Sequence, residues 1–167
     1  MKPSDRGYVG FIIDASVLID YMKSDITVLT HVSRSVAPIH LASPVLAEVE
    51  QISENSANSK AIHVVEPSLE QVRLAVERAG RVSFQDRLCA LMARDNEWAC
   101  ITSDRQLRSF CRGLGVPCVW GLEPLRWLVS RGHLTTDQAI AIARQIAESN
   151  TFITSPILAR FRRQLGL

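Results

Sequence analysis

The chain predicts one α/β domain, a central parallel sheet of four to five strands flanked by helices, with a helical extension at its C-terminal end. Three observations predict it. From about Tyr8 to Trp120, short apolar runs rich in β-branched residues alternate with segments of helical period, the pattern of parallel strands joined by right-handed crossovers. After Gly121 only helical periodicity remains. No internal repeat, low-complexity tract or Pro/Gly linker divides the 167 residues, which suffice to bury one sizeable core.

Residues Met1 to Gly7 read as a loose leader. The first strand covers about Tyr8 to Ile13 and ends on a carboxylate, Asp14; a helix follows from Ala15 to about Met22. A second helical piece, about Asp25 to Ser33, spaces Ile26, Leu29 and Val32 for one face. Pro38 precedes the short strand Ile39 to Ala42. Ser43-Pro44 is a strong helix start, with Ser as cap and Pro at the first helical position. That helix should carry Val45, Leu46, Val49 and Ile52 inward and Glu48, Glu50 and Glu54 on its flanks. Asn55 to Ser59 reads as a polar break, and Ile62 to Val65 as the third strand, closed by Pro67.

Ser68 then caps a helix to about Ala79, with Leu69, Val72 and Val76 apolar-side and Gly80 as terminator. Ser83 begins the next, which bears Phe84, Leu88, Leu91 and Met92 and reaches about Asp95. Trp98 to Thr102 is the fourth strand; Ser103-Asp104 opens a helix to about Cys111, and Gly113 and Gly115 turn the chain into a fifth strand, Val116 to Trp120. Three helices complete the sequence: about Leu122 to Ser130, then one from Thr135 or Thr136 with Ala139, Ile142, Ala143 and Ile146 on one face, then one from Ser155-Pro156 with Ile157, Leu158, Phe161 and Leu165. This extension, about 122–167, is too short to bury much alone, so it is expected to pack on the core of about 8–120 within a single domain.

A hydrophobic content of 47% argues for a folded globule. No apolar run is long enough to span a bilayer, and the N-terminus lacks a secretory apolar core, which points to a cytoplasmic protein without a membrane partner. The net charge of +2 does not by itself imply nucleic acid. Lysine occurs only at positions 2, 23 and 60, and every other basic residue is arginine, a side chain suited to bidentate phosphate contact. A compositional bias explains the same excess. Cys89, Cys100, Cys111 and Cys118 show no zinc-like spacing and read as reduced thiols, while the scattered His31, His40, His63 and His133 support neither a zinc hydrolase nor a Ser-His-Asp triad.

The carboxylates carry more chemistry. Asp14 follows strand one, Asp104 follows strand four, Asp86 lies in the first turn of the helix feeding strand four, and Glu48 lies on the helix after strand two. Singly, each has an ordinary explanation: Asp14 and Asp104 as helix caps, Asp86 as part of a variant capping box with Ser83, Glu48 as a solvated helix residue. Jointly, parallel connections bring these element starts to one edge of the sheet, where clustered like charges require a compensating cation. An oxygen-only set without His or Cys suits Mg²⁺ or Mn²⁺. Such ions polarise phosphoryl oxygens and activate water, so the reaction class is metal-assisted hydrolysis of a phosphodiester.

The ordered motifs Ile12-Ile13-Asp14-Ala15-Ser16, Ser43-Pro44-Val45-Leu46-Ala47-Glu48, Ser83-Phe84-Gln85-Asp86 and Ile101-Thr102-Ser103-Asp104 resemble the PIN domain, over about Val9 to Trp120. The resemblance implies a PIN-like sandwich and an Mg/Mn-dependent endoribonuclease, with Asp14, Glu48, Asp86 and Asp104 forming the acidic pocket and Ser16 and Ser103 supporting it through hydrogen bonds. Both serines are equally readable as helix-start polar residues. Periodicity does not separate Glu48 from Glu50; family spacing selects Glu48. Asp14, Asp86 and Asp104 would hold one or two divalent ions, with Glu48 completing the shell. Arg87, Arg105 and Arg108 start near this edge and read either as contacts to an RNA backbone or as solvated helix faces.

The resemblance extends to VapC-type toxins, small PIN ribonucleases that are usually dimeric and held inactive by a cognate antitoxin. It thereby implies an RNA substrate, the toxin role in a type II toxin–antitoxin system, an antitoxin partner and a homodimer. The chain departs from compact toxins in its tail, because helices continue from Leu122 to Leu165, as in PIN proteins without an assigned role. That tail could cover an apolar surface, build a dimer interface or take the place of a partner's helix. The alternatives are a solitary RNA-processing PIN nuclease and a non-catalytic PIN scaffold binding RNA or protein; the intact acidic set argues against the scaffold. A haloacid-dehalogenase-like phosphatase fails because no acid stands two residues after Asp14.

Overall fold

Phe11, Ile12 and Ile13 are apolar on both faces of a strand, the composition that a parallel sheet covered on both sides demands. They form β1 (Phe11–Ile13), whose three side chains are wholly buried. The structure is a computed structural model, described for residues 7–77 and 80–167. In it β1 is the middle of a five-stranded sheet with β2 (Ile39–Ala42), β3 (Ile62–Val65), β4 (Ala99–Ile101) and β5 (Cys118–Val119), in the order β3-β2-β1-β4-β5 and parallel at every pairing. Phe11 faces Ile39 on one side and Ala99 on the other. The chain builds outward from β1 to β3, then returns across β1 to add β4 and β5. The β1/β4 boundary is therefore the topological switch point, outside whose carboxyl ends a crevice opens.

The connecting helices are α1 (Ala15–Lys23), α2 (Thr27–Ser35), α3 (Ser43–Leu46), α4 (Glu54–Ser59), α5 (Leu69–Glu77), α6 (Phe84–Asn96) and α7 (Arg105–Gly113). After β5 come α8 (Glu123–Ser130), α9 (Thr136–Ser149) and α10 (Ser155–Gln164). Six consecutive residues of α6, Leu88 to Ala93, are buried, because the helix is covered on two sides. Cys89, Met92 and Ala93 belong to the main core with the strands, whereas Leu88 and Leu91 pack with Ala75 of α5. A second group of helices joins α1 and α2 to α8 and α9, with α10 on α9. Trp127 of α8 stacks on Phe11 with ring centroids 5.1 Å apart, so Leu125, Ala139, Ile146 and Phe161 of the extension share one core cluster with the sheet.

The first strand is shorter than the apolar run that predicts it. Just before it, the indole of Trp98 lies against Gly10, where a Cβ would stand 2.8 Å from Trp98 Cδ1. Trp98 in turn stacks on His40 at 3.7 Å.

Three expectations are corrected. The helix begun at Ser43-Pro44 ends at Leu46, because the amides of Glu48 and Val49 bond three residues back, to Val45 and Leu46, and tighten the chain into turns. Val45, Val49 and Ile52 are nevertheless buried. The expected polar break at Asn55 to Ser59 is helix α4, started by Ser53, whose Oγ accepts from the amide of Ser56, and anchored by buried Ala57. On α5, Leu69 is 90% and Val76 66% exposed, and the buried residues are Gln71 and Ala75. The phase is set by polar bonds: Gln71 exchanges hydrogen bonds with Ser68 in a capping box and donates from Nε2 to Asp95, 2.9 Å away. The leader up to Arg6 and the expected end of this helix at Ala79 lie outside the described residues. All four cysteines are free, with Cys89, Cys100 and Cys111 buried and Cys118 partly so.

Candidate active site at the carboxyl edge of the sheet

Asp14 leaves β1 with extended backbone and caps α1, its Oδ1 accepting from the amide of Val17 at 2.8 Å. Its Oδ2 accepts from Thr102 Oγ1 at 2.5 Å, a bond that crosses the switch point from the end of β4. The carboxyl is only 3% exposed. Burial pushes its pKa up to about 7, against the pull of the Thr102 and Val17 hydrogen bonds, and the negative fields of Asp86 and Asp104 add to the rise.

Thr102 does two jobs. The same Oγ1 that donates to Asp14 accepts from the amide of Asp104 at 3.1 Å, so one hydroxyl links the carboxylate of strand one to the backbone that presents the carboxylate of strand four. Asp104 caps α7, its Oδ1 accepting from the amides of Gln106 (2.7 Å) and Leu107 (3.4 Å). Asp86 sits in the first turn of α6 behind its cap Ser83. Its pKa is raised by burial first, then by Asp104 and by Glu48. Glu48 is exposed on the turns after α3, and its charge acts on Asp86.

Asp104 thus acts on both Asp14 and Asp86, and Glu48 acts on Asp86. The four carboxylates do not converge on a point: among the described residues, no three His, Cys, Asp or Glu side chains stand close enough together to hold a metal ion. The donor chemistry, oxygen only, fits a hard divalent cation.

Of the supporting residues, Ser16 is exposed on α1. Ser103 is buried, its hydroxyl so close to Gly121 that a Cβ there would come within 2.3 Å of Oγ. The hydroxyl that bonds Asp14 is that of Thr102, which lies in the Ile101-Thr102-Ser103-Asp104 motif but reads from sequence only as a strand end. Arg87 directs Nε to the carbonyl of Ala75 (2.7 Å) and Nη1 to that of Val82, holding the connection between α5 and α6. Arg105 is exposed at the start of α7. Arg108 lies over the indole of Trp120, its Cζ 3.6 Å from the ring centroid, with Nη1 buried and unpartnered.

No family model matches the sequence, and no curated protein matches it. A solved structure shares the fold: a PilT N-terminus domain protein from the hyperthermophilic archaeon Sulfolobus solfataricus P2, 15% identical, with a TM-score of 0.53 over 70% of this chain and 91% of that one. The chain has a PIN-like α/β fold, a central five-stranded parallel sheet flanked by helices. No helix among the described residues is long and apolar enough to cross a membrane.

Proposed function

We propose that this protein is a divalent-metal-dependent ribonuclease that hydrolyses RNA phosphodiesters. The observation that carries the reading is the pairing of Asp14 with Thr102 across the switch point, within the field of Asp86 and Asp104. The PIN-like fold and the four ordered motifs support it.

Asp14, Asp86 and Asp104 would hold Mg²⁺ or Mn²⁺, with Glu48 completing the shell, only if the ion draws together carboxylates that stand apart in its absence. A bound divalent ion supplies polarisation of the scissile phosphoryl group and stabilisation of the leaving oxyanion. The protein's own part is orientation. Val17 and Thr102 fix both oxygens of Asp14, and the first-turn amides of α7 fix Asp104. Asp86 would add its carboxylate from the first turn of α6, the third element to reach this edge.

Asp14→Asn and Asp104→Asn should each abolish divalent-dependent cleavage of single-stranded RNA with circular dichroism unchanged, and isothermal titration should show Mn²⁺ binding to the wild type only. Undiminished cleavage by both variants would sink the mechanism. The VapC-type toxin role, with its antitoxin and homodimer, belongs to the same reading and rests on the motif resemblance. Growth arrest on expression, relieved in Asp14→Asn, is its test; harmless expression of an active nuclease leaves a solitary enzyme instead.

A further inference from the structure

Beside the acidic edge the C-terminal extension closes a cleft of about 150 Å³. One wall is Ser103 and Arg105 at the start of α7 with Trp120 after β5; the other is Phe152, before α10, with Ile157 and Arg160 on it. Trp120 is 41% and Phe152 54% exposed, two large aromatics lining the same cleft. The guanidinium of Arg108 backs the Trp120 indole. Two consecutive residues of α1 tie both walls to the helix that Asp14 caps. Asp20 accepts from Asn150 Nδ2 at 2.7 Å, while Asn150 Oδ1 accepts from the amide of Phe152 at 3.0 Å. Tyr21 donates to the carbonyl of Gly121 at 2.6 Å. The aromatic rim is thus set at a fixed offset from the carboxylates, and Ser103 in its wall immediately precedes Asp104.

Resting on the ribonuclease reading, we infer that this cleft receives one base of single-stranded RNA, so that the extension is a substrate-positioning device. The chemistry selects that occupant. Exposed aromatic faces stack on any base, arginines on both walls meet the anionic backbone, and the site lies next to the acidic edge where a phosphodiester must sit. An apolar helix docked here would leave Arg105 and Arg160 unmatched.

Trp98 and Trp127 are buried, so Trp120 is the indole that a ligand can quench. Wild-type protein in EDTA should show saturable tryptophan quenching by a short single-stranded RNA, and binding about tenfold weaker for the same chain with its bases removed. Phe152→Ala, at an exposed position, should weaken binding by about tenfold and erase that difference. Trp120→Phe should lose the quenching while fluorescence anisotropy still reports binding. Equal affinity for intact and abasic chains, unchanged affinity in Phe152→Ala, or binding of a helical peptide but not RNA would overturn the proposal. Because binding is read without metal, base-dependent quenching in a protein that cuts nothing would remove only the nuclease reading, and cleavage without base dependence would remove only the cleft.

Discussion

Thr102 donates its hydroxyl hydrogen to Asp14 across 88 positions of sequence, and the same oxygen accepts from the amide of Asp104. One threonine therefore sets the relative position of the two strand-end carboxylates. Thr102→Val keeps the volume and removes the hydroxyl. It should cost about 1–2 kcal/mol in urea unfolding, since it leaves the buried Asp14 oxygen and the half-buried Asp104 amide unpaired, and should lower divalent-dependent cleavage. Thr102→Ser should restore most of both; a fully active Thr102→Val would deny the residue any role in positioning.

The pH dependence of stability follows from two buried carboxyls. Asp20 is raised from 3.8 to about 6, first by burial, with Asn150 and Lys23 opposing. The folded state thus keeps a proton that the unfolded chain has lost, so stability falls as pH rises from about 4 to 6 and the penalty is complete above it. Asp14 has the same sign up to about pH 7. Asp20→Asn should match the wild type near pH 4 and exceed it by about 1–3 kcal/mol at pH 7.5, as read by denaturant midpoints. A constant difference across that range would contradict the assignment.

Divalent ions should stabilise the fold. If Mn²⁺ binds at the acidic edge of the native state alone, a hundredfold excess over Kd adds about 2.7 kcal/mol. Differential scanning fluorimetry should show an upward shift for the wild type that is absent in Asp14→Asn. Equal shifts in both would place the ion elsewhere.

Gly10 is a packing requirement of the sheet's opposite end. Gly10→Ala would drive a methyl group into the Trp98 indole, which is itself stacked on His40. The expected loss is about 1–3 kcal/mol from overpacking, measurable as a lower Tm with RNA cleavage at 25 °C retained. An unchanged Tm would mean that Trp98 moves aside freely.

Much of this protein is local in origin, and the sequence by itself determined that part. Strand runs such as Phe11 to Ile13 and the starts at Asp14, Ser83 and Asp104 rest on side-chain volume and on bonds reaching no more than three or four residues, so they can be read in order along the chain. The acidic residues at the strand exits follow from the same local grammar plus the right-handed crossover. Tertiary structure decided what depends on distant partners. Gln71 lies inside and Leu69 outside because Asp95 is within reach of Gln71, a fact no helical period contains. The helix after Ser43 stops at Leu46, although its apolar spacing continues to Ile52. Thr102 became more than a strand end only when β4 was laid beside β1, and Phe152 came to line a cleft with Trp120 only when Asn150 closed on Asp20. The choices at Gln71, Thr102 and Phe152 rest on bonds between residues far apart in sequence, where the energy of packing, rather than the preference of any one residue, selects the partner.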